Sequence, residues 1–487
     1  MKERLNVCLM NDSFPPTIDG VANTVFNYAF VIQNKLGNSI VATPKYPDVT
    51  DNYDFEVVRY ASIDTTNIIG YRAGYPFFPS VIGELGSKNI DIIHSHCPAM
   101  STVLARTLRE NIDVPIVFTY HTKFDIDIKK AIKSNLIQEG AIRGIVNNIE
   151  ACDEVWVVSR GAGENLKSLG YRGEYVVMEN GVDFPKGKSD KGEVEKLRQS
   201  CGIEKNCPIF LFVGRMMWYK GLKITLDALK IISDAGLNFK MIIVGDGSDA
   251  IDIENYSKEL GIYDDCIFTG AIQDREELRC YYTLADMFLF PSSYDTNGIV
   301  VREAAACGLG SVLIRGSCAA EGIEHRHNGC LIEENAESMA ECLEELIDNI
   351  GFAHEIGNNA MNEIYISWEE SVKKAYDRYK IVIEKYQSND YIRKTSFTDD
   401  ALSGIAAMCD SINRARRFRE TVTAGFIGRN PLRPVEYFDE GDDSSSESTF
   451  ASLRNGIVER TSEIKNGFRE KRTEIKERFW HHVDRYL

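Results

Sequence analysis

Long apolar runs are missing from this 487-residue sequence: no stretch of about 18 uninterrupted apolar residues occurs, so no membrane-spanning helix is expected. The opening residues, MKERLNVCLM, carry a basic flank, but Asn6 interrupts the short apolar run and Asp12 and a Pro-Pro pair follow. A first strand rather than a secretory leader is expected there. Also missing is any CxxC pair or regular cysteine spacing. The twelve cysteines, Cys8, Cys152 and Cys307 among them, sit in apolar or small-residue surroundings, which points to buried reduced thiols in a cytosolic protein. Positive charge is in short supply: 56 Lys and Arg stand against 73 Asp and Glu, a net charge of −17. A general polyanion binder needs the opposite field, so nucleic acid is not an expected partner. What is present, 44% hydrophobic and 26% charged residues, is globular composition, with length for two or three domains.

Short apolar runs alternate with longer amphipathic segments. LNVCLM, DIIHSH, PIVFTYHT and EVWVVS read as buried parallel strands, because apolar residues fall on both faces. The pattern pauses between Gly181 and Lys205, then resumes with PIFLFVG, KMIIVGDG, CIFTG, DMFLFPSS and GSVLI. Two such series predict an α/β chain with two Rossmann-like, doubly wound domains, residues 1–190 and 191–386, facing a cleft at the carboxyl ends of their strands. A helical extension is expected over 387–438, with apolar Leu402, Ile405, Cys409 and Ile412 before the basic cluster Arg414, Arg416, Arg417 and Arg419. An acidic, Ser-rich linker (439–450) separates it from a helical tail (451–487) built on an eleven-residue repeat, LRNGIVERTSE, IKNGFREKRTE, IKERFWHHVDR.

Four loops carry candidate chemistry. In NDSFPPTIDGVANTV, Gly20 precedes a helix whose free amides and positive dipole end suit a phosphate; a plain tight turn has the same appearance. In FVGRMMWYKG, Gly214 ends a strand, and the cations Arg215 and Lys220 follow it, placed to meet the charge that grows on a departing diphosphate. In FPSSYDTNGIVVREAAACG, Asp295 and Glu303 offer carboxylates to sugar hydroxyls, and Gly298 allows backbone amides to approach a ligand. The histidines His94, His96 and His121 end two strands and suit sugar hydroxyls or a phosphate oxygen; a metal is disfavoured because no Cys or carboxylate partners accompany HSH.

In this order, the motifs VPIVFTYHT, MENGVD, FVGRMMWYKG, IVGDGSD and PSSYDTNGIVVREAAACG resemble those of the retaining glycosyltransferases of family four, of GT-B fold, over roughly residues 1–385. The resemblance implies transfer of a hexose from a nucleotide sugar, most often UDP-glucose, with retention, and with protein cations in place of a divalent metal. It implies that Arg215 and Lys220 hold the diphosphate, that Glu303 binds the ribose, and that Asp295 meets the donor sugar with His121 beside the reacting carbon. Gly20 then borders the pyrophosphate, while Gly214, Gly298, Ile299 and Val300 belong to the donor site, and Asn180-Gly181 is a structural hinge element. The sequence departs from the family at Asp295, where Glu is usual, at Asn297, where an aromatic is usual, and at Gly310, where Pro is usual.

The acceptor is signalled by TYHTKFDIDIKKAIKSNLI, in which Lys123, Lys129, Lys130 and Lys133 accompany Ile126, Ile128, Ile132 and Leu136. A similar run occurs in diacylglycerol glucosyltransferases, where it docks on anionic membrane; an ordinary half-buried helix is the competing reading. The tail adds nine Lys and Arg against six Asp and Glu, with Phe468, Phe479 and Trp480. It suits either an interfacial helix or a self-associating coiled coil. The expectation is therefore a glycosyltransferase at the cytoplasmic membrane face, with a lipid such as diacylglycerol as acceptor and no cofactor beyond the sugar donor. Polysaccharide or lipid-linked glycan assembly, a nucleotide-sugar epimerase and a non-catalytic assembly protein are the rivals.

Overall fold

A computed structural model of the chain describes residues 4–388, apart from Ile18, 67–71, 126–127 and 129–132, and then residues 401–414. The expectations for Lys129, Lys130, the cluster after Arg414, the linker and the tail repeat lie outside the described residues. The chain divides into two units, Met1–Thr421 and Val422–Leu487, and every described residue belongs to the first.

Fifteen strands are described: β1 (Asn6–Met10), β2 (Asn38–Pro44), β3 (Glu56–Tyr60), β4 (Ser62–Ile63), β5 (Ala73–Gly74), β6 (Ile92–Ser95), β7 (Ile116–Tyr120), β8 (Glu154–Val157), β9 (Val176–Val177), β10 (Ile209–Val213), β11 (Lys240–Val244), β12 (Cys266–Gly270), β13 (Met287–Leu289), β14 (Ser311–Ile314) and β15 (Cys330–Ile332). They form a seven-stranded sheet, β3-β2-β1-β6-β7-β8-β9, a six-stranded sheet, β12-β11-β10-β13-β14-β15, and the small pair β4-β5. Within the two large sheets every pairing is parallel. Helices cover both faces, which is why β7 and β10 are buried at all five positions. Each sheet has the doubly wound order, with its reversal between β1 and β6 or between β10 and β13, and ligand crevices form outside the strand ends at such reversals. The expected GT-B architecture, two Rossmann-like domains with a helical C-terminal region, is the architecture observed.

The boundary at residue 386 requires correction. The helix Trp368–Gln387, expected with the second domain, buries Trp368, Val372, Ala375, Tyr376, Tyr379, Val382 and Ile383 in a cluster with Leu5, Val7, Leu9, Val25 and Trp156 of the first. The Tyr376 hydroxyl accepts the Leu5 amide at 2.7 Å, and Arg378 grips Glu154 at 2.7 and 2.8 Å. Chain order places this helix after the second sheet, whereas the aromatic stripe it carries fits the first. Residues 401–414 are helical as expected, and Cys409 joins Val81, Ile82 and Leu85 in the first domain's core.

The chain crosses between the domains twice, and the two crossings run side by side, with Val182 bridged to Ser367. A Cβ on Gly181 would lie 2.4 Å from the Trp368 nitrogen, so the backbones can approach this closely only at a glycine. Arg302 of the second domain donates to Glu179 and to the Ile364 carbonyl across the same junction.

Candidate active site

In the second domain the loop after β10 bears Gly214 and the exposed Arg215, then turns through Trp218–Lys220 into the helix Leu222–Asp234. Gly221 makes that turn with φ of 85°, and a Cβ there would sit 2.0 Å from the Pro291 carbonyl oxygen. The loop after β13 therefore lies directly against the loop after β10. This brings Lys220 Nζ to 2.8 and 2.9 Å from the two oxygens of Asp295, while the Ser292 hydroxyl donates to one of them at 2.7 Å. Beyond Asp295, Gly298 starts the helix Ile299–Ala306 in the left-handed conformation with no side chain capping it. Its first amides, those of Ile299 and Val300, are thus left without intrahelical or capping partners, as a helix start aimed at an anion requires.

Glu303, on the same helix, is buried. Arg275 donates to one of its oxygens at 2.6 Å and the Tyr282 hydroxyl to the other at 3.0 Å. Burial pushes the Glu303 carboxyl above its usual range, against the pull of Arg275 and of Tyr282.

His121 follows β7 in the first domain and meets the Asp295 loop directly: the Thr296 hydroxyl donates to the His121 carbonyl at 2.6 Å. Ser159 donates to the Thr296 carbonyl, and Glu321 accepts the Arg160 and Gly161 amides at 2.7 and 2.5 Å, capping a helix of the opposite domain. His121 is 7% exposed and burial holds its pKa down at about 3; His94 and His96, also buried, are held well below the usual histidine value by burial and by their imidazole neighbours. These rings stay neutral at physiological pH.

The structure thus gathers His121, Lys220, Asp295, Gly298, Ile299, Val300 and Glu303 around the facing strand ends, with Gly214 and Arg215 at the loop that follows β10. Two expectations change. Gly20 is exposed at the start of the helix Gly20–Val31, but the Asp19 carboxylate accepts the Val21 and Ala22 amides at 2.8 and 2.7 Å, so these amides are not free for phosphate. Lys123, expected on a membrane-facing helix, is half-buried and donates across the cleft to the Ser293 carbonyl at 3.4 Å. The spacing of these lysines does not reveal which of them turns inward. Lys133 is exposed, as are Leu136 (76%) and Ile137 (59%) at the start of the helix Asn135–Glu150.

Arg275, Tyr282, Ser292, Thr296, Ser159 and Glu321 were not singled out from the sequence. Thr296 had a signal, a hydroxyl between Asp295 and Asn297. Arg275 had none, because beside Asp274, Glu276 and Glu277 it reads as a surface residue. Among the described residues no group of three or more His, Cys, Asp or Glu is arranged to hold a metal, and no helix is long and apolar enough to cross a membrane.

Comparison with known proteins gives the family and the fold. Residues 18–185 match the family described as Glycosyltransferase Family 4, and residues 193–363 match Glycosyl transferases group 1. The chain is similar to the alpha-monoglucosyldiacylglycerol synthase of Streptococcus pneumoniae, at 23% identity over 62% of this chain and 70% of that one. It is also similar to the GDP-mannose-dependent alpha-mannosyltransferase of Corynebacterium glutamicum, at 26% identity over 71% and 81% of the respective chains. Its fold is that of Anabaena HepE, solved in complex with UDP, with a TM-score of 0.63 at 18% identity, covering 77% of this chain and all of that one.

Proposed function

This chain belongs to the family 4 glycosyltransferases of GT-B fold, and from that premise we propose that it moves glucose from UDP-glucose to a diacylglycerol-type lipid at an anionic membrane surface, retaining the anomeric configuration. The observation that supports the reading is the seating of the Asp295 loop on the His121 loop, where the Thr296 hydroxyl donates to the His121 carbonyl, together with the pairing of Lys220 with Asp295. The acceptor hydroxyl attacks the anomeric carbon on the face from which the diphosphate departs. The bond to the diphosphate breaks, the leaving phosphate takes the hydroxyl proton, and Arg215 and Lys220 meet the charge that grows there, the role otherwise supplied by a divalent metal. The unpartnered amides of Ile299 and Val300 face a negative group, and Glu303 accepts from the ribose. Closure of the two domains keeps water from the donor.

Support for the lipid acceptor comes from the exposed Lys133, Leu136 and Ile137 on the first domain and from the name of the Streptococcus relative. Apolar side chains beside a cation suit an anionic lipid interface. The test is incubation of the full chain with UDP-glucose and diacylglycerol in anionic vesicles. An α-linked glucolipid, read by mass spectrometry and NMR, supports the reading. A β-linkage overturns retention, and free epimerised nucleotide sugar or transfer to a soluble glycan alone overturns the assignment.

A further inference from the structure

Behind His121 lies a chain of buried imidazoles that the proposed reaction does not use. His96 Nδ1 is 2.9 Å from His121 Nε2, with the two rings inclined by 20°. His94 lies against His96 with ring centroids 3.9 Å apart and planes tilted by 37°, and is itself held at both nitrogens, by the Tyr379 hydroxyl at 2.6 Å and the Thr119 hydroxyl at 2.7 Å. Tyr28 closes the group edge-on against both rings. His96 is 1% exposed, and its Nε2 has no partner among the described residues.

The single proton between His96 and His121 has two placements. If His121 Nε2–H were the donor, the proton of His96 would sit on its own Nε2, a buried N–H with nothing to receive it. An orphaned buried N–H gives up its hydrogen bond to water and gains none, a heavier penalty than a bare lone pair carries. If His96 Nδ1–H is the donor, its Nε2 is a bare lone pair and His121 Nε2 is the acceptor. The proton of His121 must then lie on Nδ1, the ring nitrogen that no described residue engages. Because buried rings resist protonation, the neutral form with one N–H is the species present.

We infer that His96 is a positioning residue whose Nδ1–H locks His121 in the Nδ1–H form, so that His121 meets its ligand as a neutral hydrogen-bond donor. A neutral N–H suits a sugar hydroxyl oxygen beside the reacting carbon: it orients the ring without placing a second cation next to carbon that becomes positive as the diphosphate leaves. Tyr379, on the helix Trp368–Gln387, fixes His94 beneath this pair, so the helix that returns from the second domain supports the site as well as the core. The catalytic consequence rests on the reading of His121 given above; the tautomer does not.

The test uses the full chain labelled with 15N-histidine, whose long-range 1H–15N spectra distinguish the two neutral tautomers directly. In the unmodified chain His121 is expected protonated at Nδ1 and bare at Nε2. His96→Asn places an amide N–H where Nδ1–H was, and should keep the tautomer and most of the rate. His96→Asp puts a carboxylate acceptor where Nδ1–H was, which should draw the His121 proton to Nε2 and lower kcat by about tenfold or more, with KM for the nucleotide sugar changed less than about twofold. A His121 protonated at Nε2 in the unmodified chain overturns the inference, and so does a tautomer that His96→Asp leaves unmoved. A shifted tautomer with unchanged kcat upholds the lock and removes His121 from the transfer step instead.

Discussion

Replacing Lys220 with methionine keeps most of the stem and removes the charge, and the structure fixes what should follow. The ammonium lies 2.8 and 2.9 Å from the Asp295 oxygens, with the two side chains 13% and 20% exposed. At that separation the gross attraction is about 6 kcal/mol for an effective dielectric of 20. Desolvation of both groups returns most of it, so Lys220→Met should cost about 1–3 kcal/mol of stability, between an exposed pair and a fully buried one. Arg215 is exposed, and Arg215→Met should cost under about 0.5 kcal/mol. In turnover the two should converge, each losing about 10²–10³-fold, the scale of deleting a charge-stabilising donor. Initial rates with UDP-glucose and urea denaturation of each variant check both halves. Addition of Asp295→Asn to Lys220→Met should cost less than the sum of the single changes, because the partners are in direct contact. Full activity in Lys220→Met alongside lost stability would make the pair purely structural and refute the phosphate assignment.

The depressed His121 pKa, about 3 against an ordinary 6.5, sets a pH dependence. The unfolded chain takes a proton that the native ring refuses, so this stability is present above pH 6.5 and is lost as pH falls below it, by about 1.4 kcal/mol at pH 5.5. His121→Asn should therefore lose about that much less than the unmodified chain between pH 7.5 and 5.5 in chemical denaturation, and equal losses would contradict the burial argument. Gly181→Ala forces a Cβ against the Trp368 backbone and should lower stability by about 2–3 kcal/mol; a thermal midpoint within a degree of the parent's would show that the crossing gives way freely. Deletion of residues 451–487 should weaken binding to anionic vesicles in a flotation assay. A truncated chain that turns monomeric with vesicle affinity unchanged assigns the repeat to self-association.

Much of the fold was legible in the residues themselves. Parallel strands covered on both faces must be apolar throughout, so IVFTY and IFLFV announce themselves, and their order along the chain is enough for two doubly wound domains. Because ligands gather at the ends of such strands, the loops carrying His121, Arg215 and Asp295 were identifiable from position and residue type. Partners were not. Lys220 and Asp295 are 75 residues apart, His96 and His121 are 25 apart, and Glu303 meets an arginine that reads as a surface residue. Periodicity marks which face of an element is buried and is silent on what covers it. For that reason the sequence pairs the helix Trp368–Gln387 with the wrong sheet, turns Lys123 to a membrane where it bonds Ser293, and leaves open the Gly20 helix that Asp19 caps. Local chemistry lies in the order of residues, and the pairing that tunes it is decided by which loops two sheets bring within 3 Å of each other.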